Sequence, residues 1–336
     1  MNTAGVNTTG VRADPHGRTA FVTGGTGGMG RVITTELARA GAHVVTTSRD
    51  PDRGRALRRR VADEVGADRV EVLTGDLTSR VDLHRLAAGF SARHDVLHLL
   101  VNNAGAHYRD RRLTDDGVEA HLAVNHLAGF TLTHLLRDHL LAAGRARVVN
   151  VVSATMSDAR TVPLPGRPRP VPLDLTGVTD VRDLNPAEGY APFAAYARSK
   201  LLATTCGYEF AERLRGTGVT VNAVHPGIVG TDLVDDVVPT ALKPFRRLIR
   251  RFLLTPEQGA EAALRLATDP DLADTTGRYY VRDREARSPE VSYDPDVRAA
   301  AWRLSLAWAT APSGGRITSH APTARTNRGS EPSPSS

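Results

Sequence analysis

Thr23-Gly-Gly-Thr-Gly-Gly-Met-Gly30 is the stretch that decides the fold. It follows a short apolar run, Ala20 to Thr23, and leads into an amphipathic pattern from Arg31 to Arg39. Between a strand and a helix, such glycines let backbone N–H groups and a helix N-terminus approach a pyrophosphate. The glycines fit three patterns at once: G-x-G-x-x-G from Gly25, and both T-G-x-x-G-x-x-G and T-G-x-x-x-G-x-G from Thr23. The stretch predicts a dinucleotide-binding turn, with its subtype left open.

Strand-like and helix-like patterns alternate along the rest of the chain. Apolar runs typical of buried strands lie at Ala20–Thr23, His43–Thr47, Val70–Leu73, Val96–Val101, Arg147–Val152 and Val219–His225. Amphipathic helical patterns lie at Arg31–Arg39, Asp52–Glu64, Val81–Phe90, Val118–Leu141 and Ala194–Arg215. The alternation predicts an α/β fold, a Rossmann-type doubly wound parallel sheet in a single domain over residues 18–310. A last strand near Tyr279–Val281 is expected to close the sheet.

Three segments lack any clear period. Residues 1–17 and 311–336 are rich in Gly, Pro, Ser and Thr, which predicts flexible tails. Residues 154–193, called the insertion below, include a proline-rich run from Val162 to Pro172. A loop of this length inside a domain is usually functional, and this one follows the fifth predicted strand at the edge where open α/β sheets bind ligands. We expect it to form part of a substrate wall.

Composition narrows the class of protein. The net charge of +6 raises the question of nucleic acid, but the arginines are scattered and aromatic residues make up 5%, too few for a base-stacking surface. No apolar run approaches the roughly 18 residues that a membrane span needs. Cys206 is the single cysteine and cannot form an internal disulfide. These features, without a signal-peptide pattern, predict a cytoplasmic protein that does not bind nucleic acid.

The end of the second predicted strand bears on cofactor choice. An NAD enzyme places an acidic residue there, on the ribose 2′-hydroxyl, whereas this chain has Ser48 followed by Arg49. A hydroxyl and a forked cation favour a 2′-phosphate, and so NADP(H). The alternative is that Arg49 is a surface arginine in an arginine-rich chain. Asp76 and Leu77, after the third strand, are expected to border the adenine.

Tyr196 and Lys200 are four residues apart at the start of a helical pattern, so their side chains share one face. A neighbouring ammonium stabilises a phenolate and lowers its pKa by about 1 to 3 units, which makes tyrosine a usable general acid or base. The chain has only two lysines, Lys200 and Lys243. Ser153, at the end of the fifth strand, is expected to hydrogen-bond the substrate oxygen.

These motifs together resemble the single-domain short-chain dehydrogenase/reductase family. The resemblance rests on the glycine stretch, Asn102-Asn-Ala-Gly105, Ser153, Tyr196-x-x-x-Lys200 and His225-Pro-Gly227. Within the family the chain is most similar to retinol dehydrogenases over roughly Arg18 to Leu306, through Val124–Leu136, Gly218–Gly227, Thr255–Ala260 and Gly277–Tyr280. Two departures are Val152, where relatives usually have a serine, and the long separation between Ser153 and Tyr196.

The resemblance implies a catalytic set of Asn125, Ser153, Tyr196 and Lys200, in which Asn125 kinks a helix and holds a proton-relay water to Lys200. Residues Ile228–Thr231 would flank the nicotinamide, and homo-oligomers commonly form through the long helices. The expected cofactor contacts are Thr23, Gly24, Thr26, Gly28, Met29, Gly30, Ser48, Arg49, Asp76, Leu77, Asn103, Ala104, Gly105, Tyr196, Lys200, Pro226, Gly227, Ile228 and Thr231.

Residues 232–254 are interpreted as a lid over the substrate. Leu242, Phe245, Leu248, Ile249, Phe252 and Leu253 recur at spacings of three and four, with Arg246, Arg247, Arg250 and Arg251 between them. Such a helix can also lie on an anionic membrane surface, although a soluble lid is favoured. Both alternatives imply a lipophilic small-molecule substrate, such as a polycyclic ketone or a long-chain or isoprenoid aldehyde.

Other classes fit the sequence less well. The histidines form no H-E-x-x-H pair, so we expect no catalytic metal, and no strand leads into the G-x-S-x-G of a serine hydrolase. The remaining alternative is a non-catalytic NADP-binding sensor or scaffold with the same fold. Because all four catalytic residues are present, an enzyme is the favoured interpretation.

Overall fold

A computed structural model describes Val11 and residues 15–157, 170–230 and 253–312 of the chain. The described residues form an eight-stranded sheet of order β3-β2-β1-β4-β5-β6-β7-β8. Its strands are β1 Thr19–Val22, β2 His43–Ser48, β3 Val70–Thr74, β4 Leu99–Asn102, β5 Ala146–Val151, β6 Val219–His225, β7 Tyr279–Val281 and β8 Arg284–Ala286. Neighbouring strands from β3 to β7 are parallel, which confirms the predicted fold class.

The sequence predicted β7 as the last strand, but the sheet continues with one more strand, β8. β8 pairs antiparallel with β7, with Tyr279 opposite Ala286 and Val281 opposite Arg284. The sequence of β8 did not predict a strand, because Arg-Glu-Ala has no apolar alternation. It is mostly exposed at the edge of the sheet. The central strands are the opposite case: β6 is buried over six of its seven residues. Strands covered on both faces appear as continuous apolar runs, which is why they were predicted.

Helices cover both faces of the sheet, and the core consists of two apolar clusters. The helices are α1 Gly28–Arg39, α2 Pro51–Val65, α3 Arg80–Ser91, α4 Ala120–Leu122, α5 Ala128–Leu135, α6 Arg137–Ala142, α7 Pro192–Arg213, α8 Pro256–Thr268 and α9 Pro295–Thr310. Local chemistry sets their ends. Asp50 caps α2 by accepting from the N–H groups of Asp52 and Arg53, and Thr255 and Gln258 form a capping box on α8.

The helical pattern predicted over Val118–Leu141 is confirmed, but the structure divides the helix into shorter pieces. A π-helical segment, Ala123–Leu127, lies between α4 and α5, and a further break at Leu136 precedes α6. Asn125 is at the centre of the π segment. π turns inside helices re-aim side chains and often occur at functional sites. Apolar periodicity cannot reveal them, but the resemblance implied a helix kink at Asn125, and the π segment lies there.

The C-terminal helix α9 packs against α5 and α7. Trp302 of α9 lies edge-on to Phe130 of α5 and Phe210 of α7, with centroid distances of 5.0 and 4.6 Å. The Arg213 guanidinium of α7 lies 4.3 Å from the Trp302 ring centroid. A homo-oligomer built on this face of α5 and α7 would have to displace α9.

The structure describes only parts of the predicted tails, insertion and lid. Val11 is buried in one of the two clusters, and the Gly17 N–H donates to the Gly41 carbonyl, so the end of the predicted N-terminal tail contacts the domain. Residues 158–169, 231–252 and 313–336 lie outside the described residues, and with them most of the proline-rich run and the predicted lid. In the described part of the chain, no helix is both long enough and apolar enough to cross a membrane.

Candidate active site

The predicted cofactor residues gather at one edge of the sheet. The glycine stretch follows β1, Ser48 and Arg49 end β2, and residues 76–77, 103–105 and 226–228 follow β3, β4 and β6. Because these strands are parallel, their carboxyl ends meet at the same edge, where doubly wound sheets bind ligands. Thr231 lies outside the described residues, so its expected contact stays a prediction.

The backbone selects one of the three glycine patterns. Gly24 and Gly28 have φ of +70° and +49°, a conformation that side chains rarely adopt. A Cβ on Gly30 would stand 2.1 Å from the Gly24 carbonyl oxygen. Gly27, in contrast, is extended, and a Cβ there would point into open space. A Cβ on Gly25 would clash with the Thr46 hydroxyl. Among these glycines Gly27 is the one that tolerates a side chain, and T-G-x-x-x-G-x-G from Thr23 is the pattern that does not require it. The N-terminus of α1, capped by Gly27, is left open to an anion.

Hydrogen bonds fix the glycine turn to its neighbours. The Gly24 N–H donates to Thr47 Oγ1 at 3.0 Å. The Ala104 N–H donates to Thr23 Oγ1 at 3.0 Å, and Asn103 Nδ2 donates to the Thr23 carbonyl at 2.9 Å. The loop after β4 is thereby held against the turn. Farther along α1, a Cβ at Gly259 of α8 would stand 2.6 Å from Met29 Sδ, so Met29 is packed between helices. Thr26 is half-buried on the turn itself.

Ser48 and Arg49 differ in availability. The buried Ser48 hydroxyl donates to the Asp50 carbonyl at 2.6 Å and accepts from the Asp50 N–H, so it serves the loop that caps α2. Arg49 is exposed. Burial raises the pKa of Tyr108 and the Arg49 guanidinium acts against that rise, which puts Arg49 close to the loop after β4. Arg49 is the group of this pair that is free to meet a 2′-phosphate.

The two other strand ends are built in different ways. Asp76 accepts from both the N–H and the hydroxyl of Thr78 at 2.8 Å, while Leu77 is buried in the core. Gly227 has φ of +97°, which turns the chain after β6 and leaves Ile228 64% exposed at the edge. These positions fit the expected adenine and nicotinamide borders, and the contacts themselves stay predictions.

The four predicted catalytic residues come together at the same edge. Ser153 follows β5, Tyr196 and Lys200 lie on α7, and Asn125 comes from the π segment. Lys200 Nζ donates to the Val151 carbonyl at 3.0 Å. A Cβ on Gly105 would stand 3.1 Å from Lys200 Nζ and 3.2 Å from Asn125 Oδ1, so the glycine leaves room for both groups. The arrangement has a hydroxyl, a phenol and an ammonium beside the cofactor edge.

The predicted lowering of the Tyr196 pKa is wrong for this structure. Burial raises the pKa of Tyr196 to about 12, and hydrogen bonding with the Ser153 side chain opposes that rise. Burial also lowers the pKa of Lys200 to about 8. The Lys200 ammonium is directed at the Val151 carbonyl, and desolvation of the phenol outweighs the other influences. At neutral pH Tyr196 is therefore protonated in this structure.

Asn125 joins three parts of the site. Its Oδ1 accepts from the Ala106 N–H at 2.9 Å, and its Nδ2 donates to the Ala106 carbonyl and to Ser199 Oγ, both at 3.0 Å. These bonds tie the loop after β4 to α7. A cavity of about 20 Å³, enough for a single water, lies behind it among residues that include Asn102 and Asn150. The proton relay through Asn125 stays a prediction.

The sequence analysis missed two histidines beside Tyr196 and a glutamate that binds one of them. The rings of His107 and His121 lie 5.5 and 6.0 Å from its ring, both in edge-on geometry. His121 Nδ1 is 2.8 Å from a carboxylate oxygen of Glu119, and both residues are fully or almost fully buried. No local pattern marks these residues as functional. The one weak signal for Glu119 is an acidic residue between Val118 and Ala120, at the start of a predicted helix.

A separate cluster of possible metal ligands lies at the opposite edge of the sheet. Ligand atoms of His43, Glu71 and His94 lie within 4.8 Å of one another, near the start of β2 and β3. Glu71 pairs with His94 at 3.1 Å and with Arg93 at 2.9 Å. The cluster is remote from Tyr196 along the strands and contributes nothing to the site described above.

Fold and site define a class: a nicotinamide dinucleotide-binding oxidoreductase acting on alcohol or carbonyl groups. Residues 18–162 match the family model for short chain dehydrogenase. Polyprenol dehydrogenase from Danio rerio is 34% identical over 303 residues, 88% of this chain and 87% of the relative. Retinol dehydrogenase 12 from Bos taurus is 36% identical over 264 residues, 79% of this chain and 77% of the relative. The chain belongs to the short-chain dehydrogenase/reductase family and is close to its retinol dehydrogenase-like members.

Solved structures agree with this assignment. An uncharacterized protein from Mycobacterium paratuberculosis is 28% identical with a TM-score of 0.66, over 89% of this chain and 95% of that chain. A protein described as an NAD(P)-dependent gluconate 5-dehydrogenase from Beutenbergia cavernae, with bound NADP, is 27% identical with a TM-score of 0.60, over 80% of this chain and 96% of that chain. The family uses nicotinamide cofactors.

Proposed function

We propose that the protein is an NADP(H)-dependent reductase of lipophilic carbonyl compounds, with Tyr196 as the general acid. The observation that carries the proposal is the juxtaposition of Ser153, Tyr196, Lys200 and Asn125 at the edge where the glycine turn lies. A non-catalytic relative would have no need to keep a hydroxyl, a phenol and an ammonium together in a buried cluster.

The residues fit a dinucleotide. The open N-terminus of α1, the close approach of Gly24 to Gly30 and the small Gly105 beside Lys200 leave room for a pyrophosphate and a ribose. Arg49 supports the choice of NADP(H), since it is exposed and no acid precedes it at the end of β2. When bound, the nicotinamide supplies the hydride.

The side chains have separate roles in orienting the substrate and transferring the proton. The Ser153 hydroxyl would donate to the substrate carbonyl oxygen and orient it toward Tyr196. Tyr196, protonated because its pKa is about 12, gives its phenolic proton to that oxygen as it gains negative charge. The Lys200 ammonium stabilises the resulting phenolate, and Asn125 holds the loop and α7 in place. The protonated phenol is the form that donates to the substrate oxygen, so the proposal assigns Tyr196 the role of acid in the reduction.

A neighbouring aromatic ring and the names of the relatives support a lipophilic substrate. The Phe193 ring lies 6.4 Å from the Tyr196 ring. Val171, Leu173 and Leu175 of the insertion are buried in one of the two apolar clusters of the core. The relatives named above are called polyprenol and retinol dehydrogenases, and both names refer to isoprenoid alcohols. We propose an isoprenoid or similarly long apolar aldehyde, or the corresponding alcohol in the reverse direction.

Consumption of NADPH tests the proposal directly. Purified protein is mixed with NADPH or NADH and with all-trans-retinal, farnesal, hexanal or glyceraldehyde. We expect NADPH oxidation, highest catalytic efficiency with retinal or farnesal, and at least a hundredfold loss in Tyr196→Phe, the scale of general acid catalysis. Best activity with glyceraldehyde contradicts the substrate class. Absence of turnover with every carbonyl and both cofactors contradicts the enzymatic assignment.

A further inference from the structure

Glu119 is a buried carboxylate with an unusually full set of donors. It is 1% exposed. Its Oε1 accepts from the His121 N–H at 3.1 Å, from His121 Nδ1 at 2.8 Å and from the Tyr190 hydroxyl at 2.9 Å. Its Oε2 accepts from the Leu122 N–H at 3.2 Å and from Asn185 Nδ2 at 2.9 Å. Capping α4 uses two of these five donors, so three side-chain donors are left to explain.

The charge of Glu119 is consistent with this set. Burial alone raises the pKa of Glu119, but His121 and Tyr190 outweigh it and hold the pKa below its usual value. Burial and the Glu119 charge raise the pKa of Tyr190, which keeps its hydroxyl as a donor. Removing a donor from a buried carboxylate is costly because the charge loses part of the hydrogen bonding that replaces its hydration.

On one side, the Glu119 cluster (Glu119, His121, Asn185 and Tyr190) reaches the catalytic tyrosine. His121 Nε2 accepts from the Tyr108 N–H at 2.8 Å, so the ring proton is on Nδ1 and is directed at Glu119. The His121 ring also lies 5.3 Å from the ring of His107, which in turn is 5.5 Å from Tyr196. The cluster therefore supports the loop behind the reacting group.

On the other side, the cluster holds the insertion. Asn185 and Tyr190 both belong to it, although they lie 66 and 71 residues from Glu119 in sequence. Arginines outside the insertion reinforce this contact: Arg111 Nε donates to the Asn185 carbonyl, and Arg198 donates to the Leu184 carbonyl, each at 3.0 Å. One carboxylate thus joins the insertion to the active-site loop.

We propose that Glu119 is a positioning residue that locks the insertion against the loop behind Tyr196, and that it thereby sets the affinity for long apolar substrates without touching the reacting atoms. The proposal rests on the function proposed above. When the lock is weakened, a smaller fraction of molecules holds residues 184–190 of the insertion against that loop, and apparent affinity falls with that fraction. The chemical step, once substrate is seated, is unaffected.

The test compares two tyrosine variants. Tyr190→Phe removes one donor to Glu119 and keeps the ring. Tyr208→Phe is the matched control, since its buried hydroxyl bonds Ser288 at 2.7 Å and it lies twelve residues beyond Tyr196, about 18 Å along α7. In Tyr190→Phe we expect KM for retinal to rise about three- to tenfold, where tenfold is the limit that loss of one hydrogen bond to a charged group sets. We expect kcat, KM for hexanal and the NADPH Kd to stay within about twofold.

Hydrogen exchange separates failure of this inference from failure of the proposed function. In Tyr190→Phe, backbone amides of residues 170–191 and 105–108 should exchange faster than in wild type, whereas Tyr208→Phe should leave both segments unchanged. This holds whether or not a substrate has been found. Unchanged exchange in Tyr190→Phe overturns the lock. A rise in KM equal for retinal and hexanal, or a loss of kcat alone, overturns its role in substrate affinity.

Discussion

Removing the Arg49 guanidinium should change the cofactor preference of the enzyme. Ser48 cannot compensate, because its hydroxyl is committed to both backbone groups of Asp50. Arg49→Ala therefore removes the available cation at this strand end. A hydrogen bond to a charged group contributes about 1.5 to 3 kcal/mol, and the exposure of Arg49 favours the lower end of that range. The NADPH Kd should rise about tenfold, since about 1.4 kcal/mol is a factor of ten.

Fluorescence titration of both cofactors measures this effect. NADH lacks the 2′-phosphate, so its Kd should change by less than about twofold in the same variant. Arg145→Ala is the control, because it removes an equal charge. Arg145 is exposed, pairs with Asp274 and lies just before β5, at the amino edge of the sheet. It should leave both Kd values unchanged. Equal losses for NADPH and NADH in Arg49→Ala would refute the assignment of Arg49 to the 2′-phosphate.

Four further predictions concern the site and its support. Tyr196→Phe should lower kcat at least about a hundredfold with NADPH affinity unchanged, and retained turnover would exclude Tyr196 as the acid. The kcat of reduction should fall above about pH 8, where the Lys200 ammonium loses its proton, and a flat profile to alkaline pH would contradict its role. Gly30→Ala should lower the unfolding free energy by about 1 to 3 kcal/mol through a clash with the Gly24 carbonyl, while Gly27→Ala should not; equal melting temperatures would refute this. The folded pKa of Glu119 lies below its usual value of 4.5, so its stabilisation is complete above that pH and is lost as pH falls through the folded pKa; denaturant titrations should show a smaller acid loss in Glu119→Gln than in wild type.

Much of the cofactor site follows from short-range patterns in the sequence. A glycine-rich turn between a strand and a helix lies within a dozen residues, and the spacing of four between Tyr196 and Lys200 is a property of one helix. Parallel strands then bring their carboxyl ends to one edge whatever the details of packing. These relations explain why the predicted catalytic set is found together in the structure.

The tertiary structure decided what depends on distant segments meeting. The insertion reaches Glu119 across 66 to 71 residues, and no local pattern encodes that contact. Gly25 has no room for a side chain because Thr46 of β2 lies against it, and no local pattern shows that contact. The helix break at Asn125 depends on bonds to Ala106 and Ser199.

The protonation of the catalytic tyrosine shows the same division. The sequence by itself determined that Tyr196 and Lys200 share a helix face, and from that alone a lowered phenol pKa was expected. The structure raises that pKa to about 12, because the surrounding segments exclude water from the phenol while Lys200 binds the Val151 carbonyl. Spacing along a helix is fixed by local backbone geometry, whereas desolvation is the sum of everything the folded chain packs around a group.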